Sequence, residues 1–251
     1  MFIIIAISKV HFFTRYNCIW FSIEIYLNQL LMPSELGVAV IDDVWRAIDY
    51  EVTWLHGRWA IYRQLYGTSE ARVNVLNRSA GTFAMMLQDV LLNDVQLGLA
   101  KLGDPASTRV KGEEVENLTL RNLYNLVTES GALVAQLAPL LHAYDSACAN
   151  ARKRRNKHIA HFDLATMLNA RATLGGPSRH EIEIALQALR RVMNCISLHY
   201  IGTQTAYEHI TLHSDGDSLI ATLKRGLRYS ELVTDGTIPP DDLRLSDWGD
   251  V

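Results

Sequence analysis

A chain of 251 residues with 49% hydrophobic and 20% charged residues can bury a full core, which excludes disorder throughout. Its formal net charge of -3 argues against broad, non-specific coating of DNA, so nucleic-acid contact would have to use a local patch. Cys18, Cys148 and Cys195 stand far apart without a C-x-x-C pair, which fits a reducing cytoplasm and buried free thiols better than a disulfide framework.

Residues 1–31 are apolar and aromatic, with Phe2-Ile3-Ile4-Ile5-Ala6-Ile7 and later Ile19-Trp20-Phe21. A signal peptide carries its positive charge before the apolar run, whereas Lys9 follows it. A membrane-spanning helix needs about 20 mostly apolar residues, and Lys9, Arg15, Asn17 and Glu24 interrupt this one. No membrane association is expected. The preferred expectation is translation from Met32, with a peripheral apolar helix as the alternative. Pro33-Ser34-Glu35 then reads as a helix start with Ser34 as its N-cap.

From Ser34 to about Tyr66, Val40, Val44, Ile48, Val52, Leu55, Trp59 and Tyr62 recur at three- and four-residue steps, a helical stripe that Gly67 ends. A second helix is expected over Val73–Leu102, with Phe83, Met86, Leu87, Val90, Leu91, Val95 and Leu99 on its apolar side. Gly103-Asp104-Pro105 stops it, and residues 104–116 read as a polar loop. Asn117 is expected to cap a short helix through Leu118, Leu123 and Leu126. A longer helix runs from Ser130 through Leu133, Leu137 and Leu141 to a basic block.

Gly175-Gly176-Pro177 breaks the second half, and Ser178-Arg179-His180-Glu181 matches a capping box. The helix it opens carries Ile182, Leu186, Leu189, Val192, Met193 and Ile196. A last helix from Asp217 or Ser218 carries Leu219, Ile220, Leu223 and Leu227. No convincing alternating strand, internal repeat or dividing linker is present. The pattern predicts one all-α domain over residues 34–232, a bundle of about five or six helices. Residues 233–251 form an acidic tail, with five aspartates and one arginine from Asp235 onward.

The basic block Arg152-Lys153-Arg154-Arg155 runs directly into Asn156-Lys157-His158-Ile159-Ala160-His161. Arginine suits bidentate recognition of phosphate, and histidine moves protons near neutral pH. Arg155-x5-His161, with Asn156 beside the arginine, resembles the signature of the HEPN superfamily, an all-α group rich in ribonucleases and toxins. The continuation His161-Phe162-Asp163, the Gly-Pro-Ser-Arg-x-Glu-Ile-Glu helix start and Thr205-Ala206-Tyr207-Glu208 resemble its abortive-infection AbiU-type branch, over roughly residues 40–232.

That resemblance implies metal-independent RNA cleavage. His161 would be general base towards the ribose 2′-hydroxyl or general acid to the leaving oxygen, and an unperturbed histidine pKa of about 6.5 suits either role. Arg155 would hold the scissile phosphate, and Asn156 would orient His161 or a phosphate oxygen. Arg152, Lys153, Arg154, Lys157 and His158 would bind the RNA backbone. The implied partners are RNA, a second copy of the chain, and an antitoxin or other protein. No cofactor or metal is implied.

A regular helix limits this reading. At about 100° per residue, Arg155 and His161 point about 120° apart, whereas Arg154 and His161 share a face to within about 20°. Either the helix is distorted near Ile159, or a two-fold dimer gathers both copies of the motif in one cleft. A structural explanation also exists. Basic residues favour a helix C-terminus, and Arg155 has Asp163 and Glu181 as possible partners. A scaffold that binds RNA or an acidic protein without cutting lies between these readings.

Other features carry less. His158 and His161 have the spacing to begin a zinc site, but no third ligand is placed by sequence. Glu51, His56 and Arg58 are expected on a solvated face, and Tyr207-Glu208-His209 is explained by packing as well as by a site. Asp215-Gly216-Asp217-Ser218 reads as a turn with an N-cap. Trp45, Trp54 and Trp59 are expected in the core or an interface. No Walker loop, GxGxxG or GxSxG occurs.

Overall fold

The computed structural model describes residues 33–160, 163, 164, 168 and 176–239. The expectations for residues 1–31, for Cys18, for His161 and for the tail beyond residue 239 lie outside these described residues.

Helix α1 (Pro33–Tyr62) begins one residue before the expected cap at Ser34, with proline in the first turn. Its buried apolar side chains are Ile41, Trp45, Ile48, Val52, Leu55, Trp59 and Tyr62, in alternating steps of four and three. The expected stripe began instead at Val40 and Val44, yet Val40 is exposed and Val44 only half-buried. Successive steps of four drift about 40° each around a helix, so that count left the core face. Trp45 and Trp59 are core residues, whereas Trp54 is exposed and packs edge-on against Tyr50. A π-helical turn, Arg63–Gly67, closes this segment at the expected glycine.

Helix α2 (Glu70–Leu102) starts three residues earlier than expected, because the Ser69 hydroxyl accepts the Arg72 N–H. It is two arms joined at Ala80, whose φ of -159° and ψ of 67° are not helical. The Ser79 hydroxyl donates to the Val75 carbonyl at 2.8 Å, a contact that bends helices, and Gly81 follows. The second arm returns along α1, with the Tyr66 hydroxyl donating to the Ala84 carbonyl at 2.8 Å and Arg58 pairing with Asp94. The expected apolar side holds in part, since Val95 and Leu99 are buried and Leu87 and Leu91 pack against the core. Ala84, Val95, Leu99 and Leu102 are buried, while Phe83, Met86 and Val90 face solvent.

Residues expected as a loop contain an antiparallel hairpin, β1 (Ser107–Val110) with β2 (Glu113–Glu116), Val110 opposite Glu113. Lys111 and Gly112 turn it with φ of 51° and 93°, the positive pair that matches strand twist in a two-residue turn. Seven of its eight strand residues are exposed, so no apolar alternation advertised it. Asn117 does not cap a helix. Its amide donates to the Pro105 carbonyl and the Thr108 hydroxyl, tying the hairpin's base.

Thr119 caps α3 (Leu120–Glu129) instead. Helix α4 (Val134–Ala147) follows Leu133, which has φ of 55°, while the expected starter Ser130 sits at the end of α3. The expected long helix breaks at Cys148, and α5 (Ala149–Arg154) carries the basic block. Helix α6 (Arg179–Tyr200) opens with the capping box, both hydrogen bonds present, and buries all six of its expected stripe residues. Helix α7 (Gly216–Thr234) is capped by Asp215, and Ile220 is its buried anchor. Arg78–Glu231 at 2.8 Å and an Arg72–Asp217 pair fasten α7 to the first arm of α2. Among the described residues there are seven α-helices and one hairpin, a mostly all-α bundle. None of the described helices is long and apolar enough to cross a membrane.

His56 is not on a solvated face. It is buried, stacks on Tyr207 at 5.4 Å, and its Nδ1 lies 2.9 Å from the Val52 carbonyl. That contact requires Nδ1–H, which leaves Nε2 to accept from Arg190 at 3.4 Å. Glu208 pairs with the same arginine, and the Tyr207 hydroxyl donates to Asp49. Tyr207-Glu208-His209, a 3-10 turn, is thus a packing element against α1 and α6. Burial, with Arg190 assisting, holds the His56 pKa below its ordinary value. The folded state then resists a proton that the unfolded chain accepts below about pH 6.5. This contribution to stability is complete above that pH and is lost as pH falls towards the depressed folded value. Thermal melts between pH 7.5 and 5.5 are expected to show a smaller loss for His56→Phe than for the wild type.

Candidate nucleic-acid interface

The basic segment meets three other elements at the C-terminal end of α2. Gly103 turns the chain out of that helix, its N–H bonded to the Ala100 carbonyl at 3.2 Å. A Cβ at Gly103 would lie 2.9 Å from Arg152 Nη1 and 3.4 Å from Tyr144 Cε1, so a side chain there would displace the Arg152 guanidinium. The Tyr144 hydroxyl, fully buried, donates to the Leu99 carbonyl at 2.6 Å and joins α4 to α2. Cys148 is buried beside it, and burial pushes its thiol up to about 11, far from a reactive thiolate.

This junction opens into a cleft of about 680 Å³ whose lining includes Asp104, Arg121, Tyr124, Asn125, Asp145, Arg152 and Arg155. Asp145 pairs with Arg121 and, at 3.3 Å, with Arg152; Arg152 also donates to the Asp145 carbonyl. Arg155 Nη1 donates to both Asp104 oxygens at 2.6 Å, and its Nε donates to Asn156 Oδ1 at 2.9 Å. The Arg155 and Asp104 side chains are only 18% and 29% exposed, so solvent screens this pair less than an open surface pair. Three guanidiniums against two carboxylates leave the cleft with a surplus positive charge.

Asp104 therefore takes the place of the expected partners Asp163 or Glu181. Glu181 accepts from the Ser178 backbone and from Asn150 instead, and these hydrogen bonds hold its carboxyl below the usual range. Asn156 accepts from Arg155, while its expected role towards His161 concerns a residue outside the described ones.

Arg154 turns away from the cleft. It is half-buried, donates to Asn93 Oδ1 at 3.4 Å, and packs its Cδ against Gly176. Lys153 and Lys157 are exposed, and His158 is half-buried. Of the expected RNA-binding residues, only Arg152 joins Arg155 in lining the cleft.

The helix distorts within the motif. Regular α geometry ends at Arg154, and Arg155–Ile159 form a π-helical turn, with the Ala160 N–H donating to the Arg155 carbonyl at 2.8 Å. Such wide turns concentrate at functional sites, and the 100° arithmetic of a regular helix stops applying at Arg155. Among the described residues no group of three His, Cys, Asp or Glu is placed to hold a metal. A second cleft, about 420 Å³ between α1 and α6, is lined mainly by apolar groups including Val38, Ile41, Trp45 and Ile196, and suits no phosphate.

Sequence reasoning missed Asp104, Arg121, Tyr124, Asn125 and Asp145. One partial signal existed. Arg121, Tyr124 and Asn125 are three and four apart on α3, away from its buried Leu120, Leu123 and Val127.

Comparison with known proteins agrees with the resemblance carried by the motif. Neither the curated proteins nor the solved structures gave a match. The family model described as AbiU2, of the HEPN group, matches residues 42–219, which include the cleft, the π-turn and the capped helix α6. Well over half of the chain is spanned by that match, and the chain belongs to the HEPN AbiU2 family.

Proposed function

We propose that the protein is a metal-independent endoribonuclease of abortive infection, a phage-defence or toxin role, acting in the cytoplasm as a homodimer. The observation that carries this reading is the position of Arg155, held on a π-turn at a cleft that also presents Arg121 and Arg152. Two or three guanidiniums around one opening match the charge of an RNA backbone. Arg155 would stabilise the scissile phosphate, and Asn156 would keep its guanidinium plane aligned. His161 would transfer the proton, a role that rests on the family pattern. A symmetric dimer would double the basic segments around one strand, and an antitoxin or other partner protein would cover them.

A second reading has its own support. Asp104 occupies Arg155, as expected of a scaffold whose arginine is structural. A non-catalytic HEPN scaffold would use the exposed Lys153 and Lys157 to bind RNA or an acidic partner.

Incubation of the purified chain with RNA in EDTA separates the two. The nuclease reading expects cutting, lost in His161→Ala at unchanged melting temperature, and growth arrest on expression that the same substitution relieves. RNA left intact by the wild type under varied salt and pH overturns catalysis, as does equal cutting by the variant.

A further inference from the structure

Helix α3 contributes two side chains to the cleft whose polar groups make no hydrogen bond among the described residues, and the Tyr124 ring packs partly against the core. Tyr124 is half-buried with its ring in the cleft lining, and its hydroxyl has no hydrogen-bond partner among the described residues. Asn125 is exposed beside it, and its side-chain amide is equally uncommitted among the described residues. Arg121, one turn earlier on the same face, faces Arg152 across Asp145. The lining thus offers cations, an aromatic ring, and an amide able both to donate and to accept.

We infer that this cleft seats one nucleotide of a single-stranded RNA, its base stacked on Tyr124 and its edge read by Asn125, with the flanking phosphates on Arg121, Arg152 and Arg155. The inference rests on the RNA reading above and adds the specificity-determining residues. A nucleotide needs all three kinds of group, whereas an acidic peptide would leave the ring and the amide idle. About 680 Å³ falls within the roughly 300–1,000 Å³ of ligand pockets. Stacking on an aromatic ring requires an unpaired base, and a paired base keeps its Watson–Crick edge occupied. The substrate class is therefore a loop, bulge or free end, not a continuous duplex.

Binding of single-stranded RNAs of about ten nucleotides is measured by fluorescence anisotropy on the full chain carrying His161→Ala, against a duplex of the same length. Four oligonucleotides differing at one central base report preference. The single strand is expected to bind more tightly than the duplex. Tyr124→Leu, which keeps apolar packing against the core, should weaken binding roughly 5- to 100-fold with an unchanged salt slope. Asn125→Ala, at an exposed position, should weaken binding of the preferred oligonucleotide more than that of the other three and so flatten the preference among the four bases. Should Tyr124→Leu fail to fold, the Asn125→Ala preference decides alone. RNA binding with affinity and preference untouched by these substitutions overturns the inference and leaves the RNA reading standing. Preference for the duplex also overturns it. Binding of polyglutamate but no RNA overturns the RNA reading itself.

Discussion

Arg155→Ala should lower RNA cleavage by at least about 100-fold, the scale seen when a single oriented donor to a developing negative charge is removed. On the proposed reading the loss should fall on kcat rather than KM, because Arg121 and Arg152, in the same cleft, would still hold the flanking backbone. Asp104→Asn should act in the opposite direction. With Asp104 present, a phosphate must compete with two carboxylate oxygens, each 2.6 Å from Arg155 Nη1. Asparagine keeps the shape, removes the charge, and releases a guanidinium that is more than four-fifths shielded from solvent. RNA affinity should rise several-fold at moderate salt, and the gain should shrink as salt is added. Melting temperatures measured on both variants separate lost activity from lost fold, because removing one partner of a pair this shielded costs more than at an open surface. Initial rates and anisotropy titrations on the two variants check both directions. A neutral Arg155→Ala would remove the arginine from the reaction.

Tyr144→Ala should cost about 3–5 kcal/mol and lower the midpoint of urea unfolding accordingly. The ring is completely buried between α4 and α2, and its hydroxyl supplies a bond to the Leu99 carbonyl within the core. Tyr144→Phe should lose only about 1 kcal/mol, the net worth of one hydrogen bond. The alanine variant should also weaken RNA binding at temperatures where it is still folded, because Asp145, the partner of Arg152, directly follows Tyr144 on α4. Equal unfolding midpoints for Tyr144→Ala and wild type would contradict the packing described.

Much of the fold was legible because periodicity is a local signal. The α6 stripe and its capping box followed from spacing alone, and both appear in the structure. The second helix failed in part, for a physical reason. Counted at about 100° per residue from Val95, the buried Ala84, Leu99 and Leu102 lie within about 40°, whereas Phe83, Met86 and Val90 lie about 120° to 180° away, so the expected stripe was too wide for one buried face. The hairpin failed because Thr108, Val110 and Val115 bury no face, and only Lys111-Gly112 marked the turn. His56 was misplaced because a polar residue on an apolar helix reads as surface until Tyr207, 151 positions later, stacks on it.

The candidate site was legible only along the chain. Arg155 and Arg152 stood out as a basic run, and the helix distortion was anticipated as one answer to their angular mismatch with His161. Asp104, Arg121 and Asp145 did not stand out, since long-range pairing between α2, α3 and α4 creates their relation to the motif. The same cause turned Arg154 inward, towards Asn93.

The Asp104–Arg155 contact joins residues 51 positions apart, at the end of one helix and the head of a motif on another. Inheritance treats the two positions separately. Relatives with the same seven-residue signature can therefore differ in whether their arginine is occupied, through a change at a position that a signature search never inspects. If the proposed nuclease reading holds, the residue after the glycine that ends α2 is to be read together with the motif in each such relative.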